Sequence, residues 1–420
     1  MTTTGTGSWR RLRLGTRGSR LALTQSGQVA EALMAAGGGG AAAAAGKASE
    51  GSGGLGIDLV TVRTDGDGDR TPLRQLGGVG VFAARLRHAL LDGEVDLVVH
   101  SFKDLPTQPV EGLEVICVPA REDPRDALCA RDGLTLADLP EGARVGTGSP
   151  RRAAQLLAAR PDLEVVDLRG NVPTRLARVR GLKVVGVGTD EPVAPSRADA
   201  AGDLDAVVLA LSGLRRLGLE HCASEVLDLE TMLPAPAQGA LAVEARADED
   251  SAELARAVAA LDDEPTRLAV TAERALMARL GAGCAAPVGA WAHLRCGGQE
   301  PREEHAEHGT GWNEGFRGDD TAVTGTSQGA GAAEPRGSAV SRRSPRVLVL
   351  RAVVTSLDGG QEVGCELSTE LPEPSGGPRT PRDMAAVRAA EALGVRAAEV
   401  LLDDGADQIV DLHANKPRRD

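Results

Sequence analysis

One apolar run with a charged end constrains this chain more than any other feature. Residues 95–99 are largely apolar and β-branched, and the chain continues His100-Ser101-Phe102-Lys103-Asp104-Leu105-Pro106. The run reads as a buried strand. Pro106 disfavours helix at Leu105 and marks a turn. His100, Ser101, Lys103 and Asp104 then fall at the carboxyl end of a strand, the edge where open α/β sheets bind ligands. Two readings stand at this point: four solvated turn residues, or a site in which an adjacent Lys and Asp stabilise charge.

The 420 residues leave room for about three domains. A formal net charge of −13 argues against a general nucleic-acid binder. With no Tyr, three Phe and three Trp, a surface for stacking bases is not expected either. Lysine occurs only at Lys47, Lys103, Lys183 and Lys416, so Lys103 is a rare choice in an arginine-rich chain. The six cysteines have no C-x-x-C spacing, which argues against zinc, and no metal is expected. The N-terminus lacks the apolar segment of a signal peptide, and no apolar run approaches the ~18 residues of a membrane span. A cytoplasmic protein with reduced thiols and no membrane partner is the expectation.

In chain order, 12–16 is a strand and 19–34 an amphipathic helix with Ser19 as N-cap. Strand, glycine and capped helix form an anion site in principle, although ordinary capping explains them as well. Residues 37–56 form a Gly/Ala/Ser insertion, and 55–62 the next strand. The acidic turn 65–69 lacks the closing Glu of a calcium loop. The glycine-rich stretch 77–82 fits neither phosphate-loop spacing and leads into a helix at 83–91. Residues 122–126 read as a hinge between domains.

The next region is strongly basic. After a strand at 143–146 comes Thr147-Gly148-Ser149-Pro150-Arg151-Arg152, with Ser149 as N-cap and Pro150 opening a helix to 159. After a strand at 164–168 comes Arg169-Gly170-Asn171-Val172-Pro173-Thr174-Arg175. Between Arg144 and Arg180 there are eight arginines and three acids. Two strand ends carrying arginines suggest a polyanionic ligand, since guanidinium forks suit carboxylates and phosphates. Beyond strand 204–211, turn 233–240 and strand 241–244 lie helices at 252–260 and 264–280. Cys284 follows in a loop of small residues, where a thiol is open to covalent chemistry; the other five cysteines read as structural. A strand at 288–297, a hairpin of 346–356 with 362–369 and a helix at 381–404 complete the chain.

The motifs resemble those of the porphobilinogen deaminase family, in family order. They are Gly15-Thr16-Arg17-Gly18-Ser19-Arg20-Leu21-Ala22, Val99 to Pro106, Arg121-Glu122-Asp123-Pro124-Arg125-Asp126, Gly146 to Arg152, Leu168 to Arg175, Gln238-Gly239 and Gly283-Cys284. The resemblance covers nearly the whole chain outside insertions at 37–56, 188–203 and 298–345. It implies an α/β protein of three domains. Two are α/β domains like the halves of a periplasmic binding protein around a cleft, at 1–119 with 240–257 and at 125–233. The third is a smaller α+β domain at 262–420, with 298–345 expected to be disordered.

The resemblance also implies a transferase of tetrapyrrole (porphyrin, heme) biosynthesis that joins four porphobilinogen molecules head to tail, with loss of ammonia, to hydroxymethylbilane. Cys284 would hold a dipyrromethane cofactor as a thioether. Asp104, with Lys103, would be catalytic, because a fixed carboxylate stabilises a pyrrole cation. Arg17, Ser19, Ser101, Lys103, Asp104, Thr147, Ser149, Arg151, Arg152, Arg169 and Gly170 would bind the cofactor. Arg17, Ser19, Gln25, Phe82, Arg151, Arg169, Arg175, Gln238 and Gly239 would bind substrate, with Asp67 and Arg121 as further candidates. Val79 stands where many relatives have Lys. A monomer with one small-molecule substrate is expected. The rivals are a non-catalytic two-lobed anion-binding protein and an inactive family member.

Overall fold

The computed structural model describes residues 11–37, 55–62, 81–184, 202–249, 251–283, 286–296, 345–372 and 384–412. Asp67, Val79, Cys284 and most of the three insertions lie outside these described residues, as do the side chains of Phe82 and Cys296.

The chain begins with β1 (Arg11–Thr16), α1 (Arg20–Ala36), β2 (Gly56–Thr61), α2 (Val81–Leu91), β3 (Leu97–Ser101) and β4 (Leu113–Cys117). It then crosses into β5 (Asp126–Ala130), β6 (Arg144–Gly146), α3 (Pro150–Ala159), β7 (Glu164–Val166), α4 (Val172–Leu176), β8 (Ala206–Ala210), α5 (Leu211–Leu217) and β9 (Glu225–Val226). A second crossover returns it to β10 (Leu241–Arg246) and α6 (Ala252–Leu261). The last part holds α7 (Glu264–Leu280), β11 (Val288–Cys296), β12 (Arg346–Thr355), β13 (Glu362–Glu370), α8 (Met384–Asp403) and α9 (Ala406–Ile409).

Among the described residues the first sheet has the order β2-β1-β3-β10-β4 and the second β7-β6-β8-β5-β9. The orders correspond strand for strand. In each, the first three strands are parallel and the fourth is antiparallel to its neighbours. That fourth strand stands next to a crossover in both lobes: β5 enters the second lobe and β10 re-enters the first. Each lobe is therefore completed by chain arriving from the other. The architecture is two α/β lobes about a cleft with a smaller α+β domain, as the resemblance implies.

The third sheet, β11-β12-β13, is an antiparallel meander covered by α7 and α8 through a core that includes Leu276, Leu350, Leu393 and Leu401. The β12–β13 hairpin forms where the Asp-Gly pair placed it. Its tip packs on the second lobe: at Gly359, with φ +74°, a Cβ would lie 2.4 Å from the Ala158 backbone nitrogen of α3. Only a glycine fits this approach.

Three strands escape a reading by sequence pattern: β4, β5 and β9. β5 is Asp-Ala-Leu-Cys-Ala, all five residues buried, with little β-branched signal. Pairing with β8 and β9 makes it a strand. β3 is shifted two residues along from the expected run. His100 and Ser101 pair with Ala242 and Leu241 of β10, and this partner, 140 residues on, extends the strand.

Candidate active site

The Lys103–Asp104 pair sits in a single 3-10 turn, Phe102–Asp104, at the end of β3. Phe102 is buried and anchors the turn, worth roughly 2 kcal/mol of apolar burial. Its backbone N–H donates to the Ala240 carbonyl at 3.1 Å, and Leu105 N–H closes the turn on the Phe102 carbonyl at 3.2 Å. Asp104 is left exposed, while Lys103 is half-buried. Ser101 Oγ donates to Oε1 of the buried Gln25 at 3.2 Å, tying β3 to α1. Arg17 lies half-buried between β1 and α1, and Ser19 caps α1 by accepting from Ala22 N–H.

The second lobe meets this edge with cations. Ser149 caps α3, as expected, and its own N–H donates to Thr147 Oγ1 at 3.2 Å. Arg151 and Arg152 do not extend from the helix start toward solvent. Both are buried on Asp126, the first residue of β5. Arg151 Nη2 donates to Asp126 Oδ2 at 2.6 Å, and Arg152 Nη2 to Oδ1 at 2.7 Å. Burial alone raises the Asp126 pKa, but the two guanidinium groups overturn this and hold the carboxyl far below its ordinary value. The remaining forks go to the Leu233 carbonyl from Arg151 and the Val208 carbonyl from Arg152. Asn171 caps α4, and Arg175 Nε donates to the Gly170 carbonyl at 2.7 Å.

Gln238 joins the lobes. Its amide N–H2 donates to Asp126 Oδ1 at 2.8 Å and to the Pro124 carbonyl at 2.7 Å. Its Oε1 accepts from Lys103 Nζ at 3.1 Å. The next residue, Gly239, has φ +89°, and a Cβ there would fall 2.3 Å from the Glu122 carbonyl oxygen. The two crossovers thus pass each other at backbone distance.

Charges act across this junction. Burial and the positive charge of Arg152 bring the Lys103 pKa down to about 8, against the pull of Asp104 and Asp126. Burial, Arg152 and Arg169 bring Arg175 down to about 10, with Asp104 and Asp167 acting the other way. Asp104 of the first lobe is therefore within electrostatic reach of Arg175 of the second. Depressed cations crowded beside one exposed carboxylate favour an anionic ligand that carries a cationic reacting centre. The Arg151 Nε is buried without a hydrogen-bond acceptor, which fits the same deficit of negative charge.

Several groups here carried no signal in the sequence. Glu273 of α7, fully buried, takes both Nη atoms of Arg121, the Ala237 N–H at 2.5 Å and the Ala292 N–H at 2.8 Å. It ties both crossovers to the third domain and gives Arg121 a structural partner. Arg87 and His100 both meet the buried Glu244. Arg216 Nη2 donates to the Gly239 carbonyl at 2.6 Å. Cys117, Cys129, Cys222 and Cys365 are buried free thiols, and burial pushes Cys117, Cys129 and Cys365 up to about 12. α7 ends at Leu280, four residues before Cys284 in the sequence, with Gly281 as its C-cap.

Fold and site together define a two-lobed α/β protein with a cationic cleft, one exposed carboxylate turn and a third domain at its hinge. Residues 12–254 match the model of "Porphobilinogen deaminase, dipyromethane cofactor binding domain", and 267–300 match "Porphobilinogen deaminase, C-terminal domain". A porphobilinogen deaminase of Cutibacterium acnes is 47% identical over 413 residues, 97% of this chain and 99% of that protein. One from Micrococcus luteus is 56% identical over 67% of this chain and 73% of its own length, and one from Thermobifida fusca is 43% identical over 95% of both. The chain belongs to the porphobilinogen deaminase family. No helix among the described residues is long and apolar enough to cross a membrane.

Proposed function

We propose that this protein is a hydroxymethylbilane synthase, a transferase forming carbon–carbon bonds between pyrroles. It condenses four porphobilinogen molecules head to tail, releases ammonia at each step, and frees the product with water. The observation that carries the reading is the exposed Asp104 at the end of β3, whose neighbour Lys103 is bound to Gln238 and through it to the Asp126 that anchors Arg151 and Arg152. Loss of ammonia leaves positive charge on a pyrrole, and a fixed carboxylate stabilises that charge as it develops. Asp104 also stands to accept pyrrole N–H bonds and to pass a proton to the departing amine. Lys103, with its pKa brought down to about 8, adds a proton donor or a point charge beside it.

Each substrate ring carries an acetate and a propionate. Arg17, Ser19, Gln25, Arg169, Arg175 and Gly239 are proposed to hold them, with Phe82, Ser101, Thr147, Ser149, Gly170 and Gln238 lining the same edges. Arg151 and Arg152 act from beneath, through Gln238 and through their charge. Cys284 would hold the dipyrromethane cofactor, which supplies the pyrrole carbon that the first substrate joins. The cationic edge suits that group's carboxylates. The division into 1–119 with 240–257, 125–233 and 262–420 belongs to the same proposal, supported by crossovers that begin after Cys117 and after Val226. So do a cytoplasmic location and a monomeric state.

Intact mass tests the reading. The purified protein should carry an added dipyrromethane, absent in Cys284→Ala together with turnover. A bare chain mass in the active wild type would overturn it, and a bare, inactive wild type would favour a non-catalytic binding protein.

A further inference from the structure

Arg274 lies on α7, in the third domain, yet its guanidinium reaches the turn that presents Asp104. Nη1 donates to the Leu105 carbonyl at 2.7 Å and the Phe102 carbonyl at 3.3 Å, and Nη2 to the Pro106 carbonyl at 2.8 Å. The guanidinium carbon also sits 4.5 Å from the centroid of the buried Phe102 ring. One planar cation thus holds the backbone on both sides of Lys103 and Asp104 and leaves the Asp104 side chain exposed. The opposite side of the turn is fixed by Ala240. A 3-10 turn of three residues has little stiffness of its own. Its orientation here is imposed from outside, largely by this fork.

We infer that Arg274 is a positioning residue for the reaction: it fixes the carboxylate of Asp104 by clamping the carbonyls that flank it. The inference rests on the catalytic reading of Asp104. A lysine has the charge but not the planar fork, so it cannot serve three carbonyls and stack on a ring at once. Displacement of a reacting group by about 1 Å costs up to 10²-fold in rate.

The test uses full-length protein, with activity expressed per dipyrromethane-loaded molecule by intact mass. Arg274→Lys should lower kcat about tenfold and Arg274→Ala about a hundredfold. KM should stay within about twofold, because the clamp touches no proposed carboxylate-binding side chain. Phe102→Leu, which removes the stacked ring and keeps an apolar filler, should cost a few-fold in kcat. Combined with Asp104→Glu, Arg274→Lys should cost clearly less than it does alone, since both act on one carboxylate. Amide exchange at Leu105 should quicken in Arg274→Lys. Losses that multiply independently, or that vanish once folded and loaded molecules are counted, would overturn the inference. Full turnover in Asp104→Glu and Asp104→Asn would instead overturn the functional reading beneath it.

Discussion

Both lobes place an aspartate beside basic side chains near the junction, on sheets of identical strand order, and the two aspartates are opposites. Asp104 of the first lobe is exposed, at the end of a turn, next to a lysine whose pKa is brought down to about 8. Asp126 of the second lobe is fully buried and accepts from Arg151, Arg152 and Gln238. The same residue type is in one place free to meet a ligand and in the other consumed in holding the cleft's cations. Strand order decides where an edge lies; the number of donors around a carboxylate decides whether it is scaffold or reagent.

Replacing each aspartate by its amide isolates that contrast. Asp104→Asn should keep the fold and lower kcat about a thousandfold, the scale of losing one group placed against developing charge. Near-normal turnover would remove the role assigned to it. Asp126→Asn should act on stability first, by about 3 kcal/mol, because two buried guanidinium groups lose their counter-charge. A denaturation midpoint equal to the wild type's would show that the pair is solvated and the lobes are less distinct than described. Arg175→Leu should raise KM about tenfold with a smaller change in kcat, as expected of a charge-assisted contact to a substrate carboxylate. An unchanged KM would return Arg175 to a structural role.

The smallest effect is a pH limb. Lys103 sheds its proton as pH rises through about 8, so kcat/KM should decline above that value if the ammonium is used. In Lys103→Arg the limb should move to higher pH or vanish, since a guanidinium stays charged. Stability moves the other way: between about 8 and the ordinary lysine value of 10.5 the unfolded chain holds a proton that the folded chain has lost. The fold therefore gains stability with rising pH in that window, measurable as a denaturation difference that Lys103→Met should abolish.

Local chemistry was legible without any structure. Helix starts at Ser19 and Ser149, the Asp-Gly hairpin, the strand leading to Asp104 and the two arginine-bearing strand ends follow from capping, turn preference and periodicity, each decided within a few residues. The resemblance carried by those motifs supplied the chemistry, including Cys284 and Asp67, which lie outside the described residues. Tertiary structure alone decided that Arg151 and Arg152 spend their forks on Asp126, that β5 is a strand, and that Glu273 and Arg274 reach from the third domain to the hinge and the Asp104 turn. These contacts join residues from 25 to 172 positions apart. An arginine's composition and spacing show only that it needs an acceptor. Which acceptor it finds depends on which distant chain segments the burial of apolar surface has brought together.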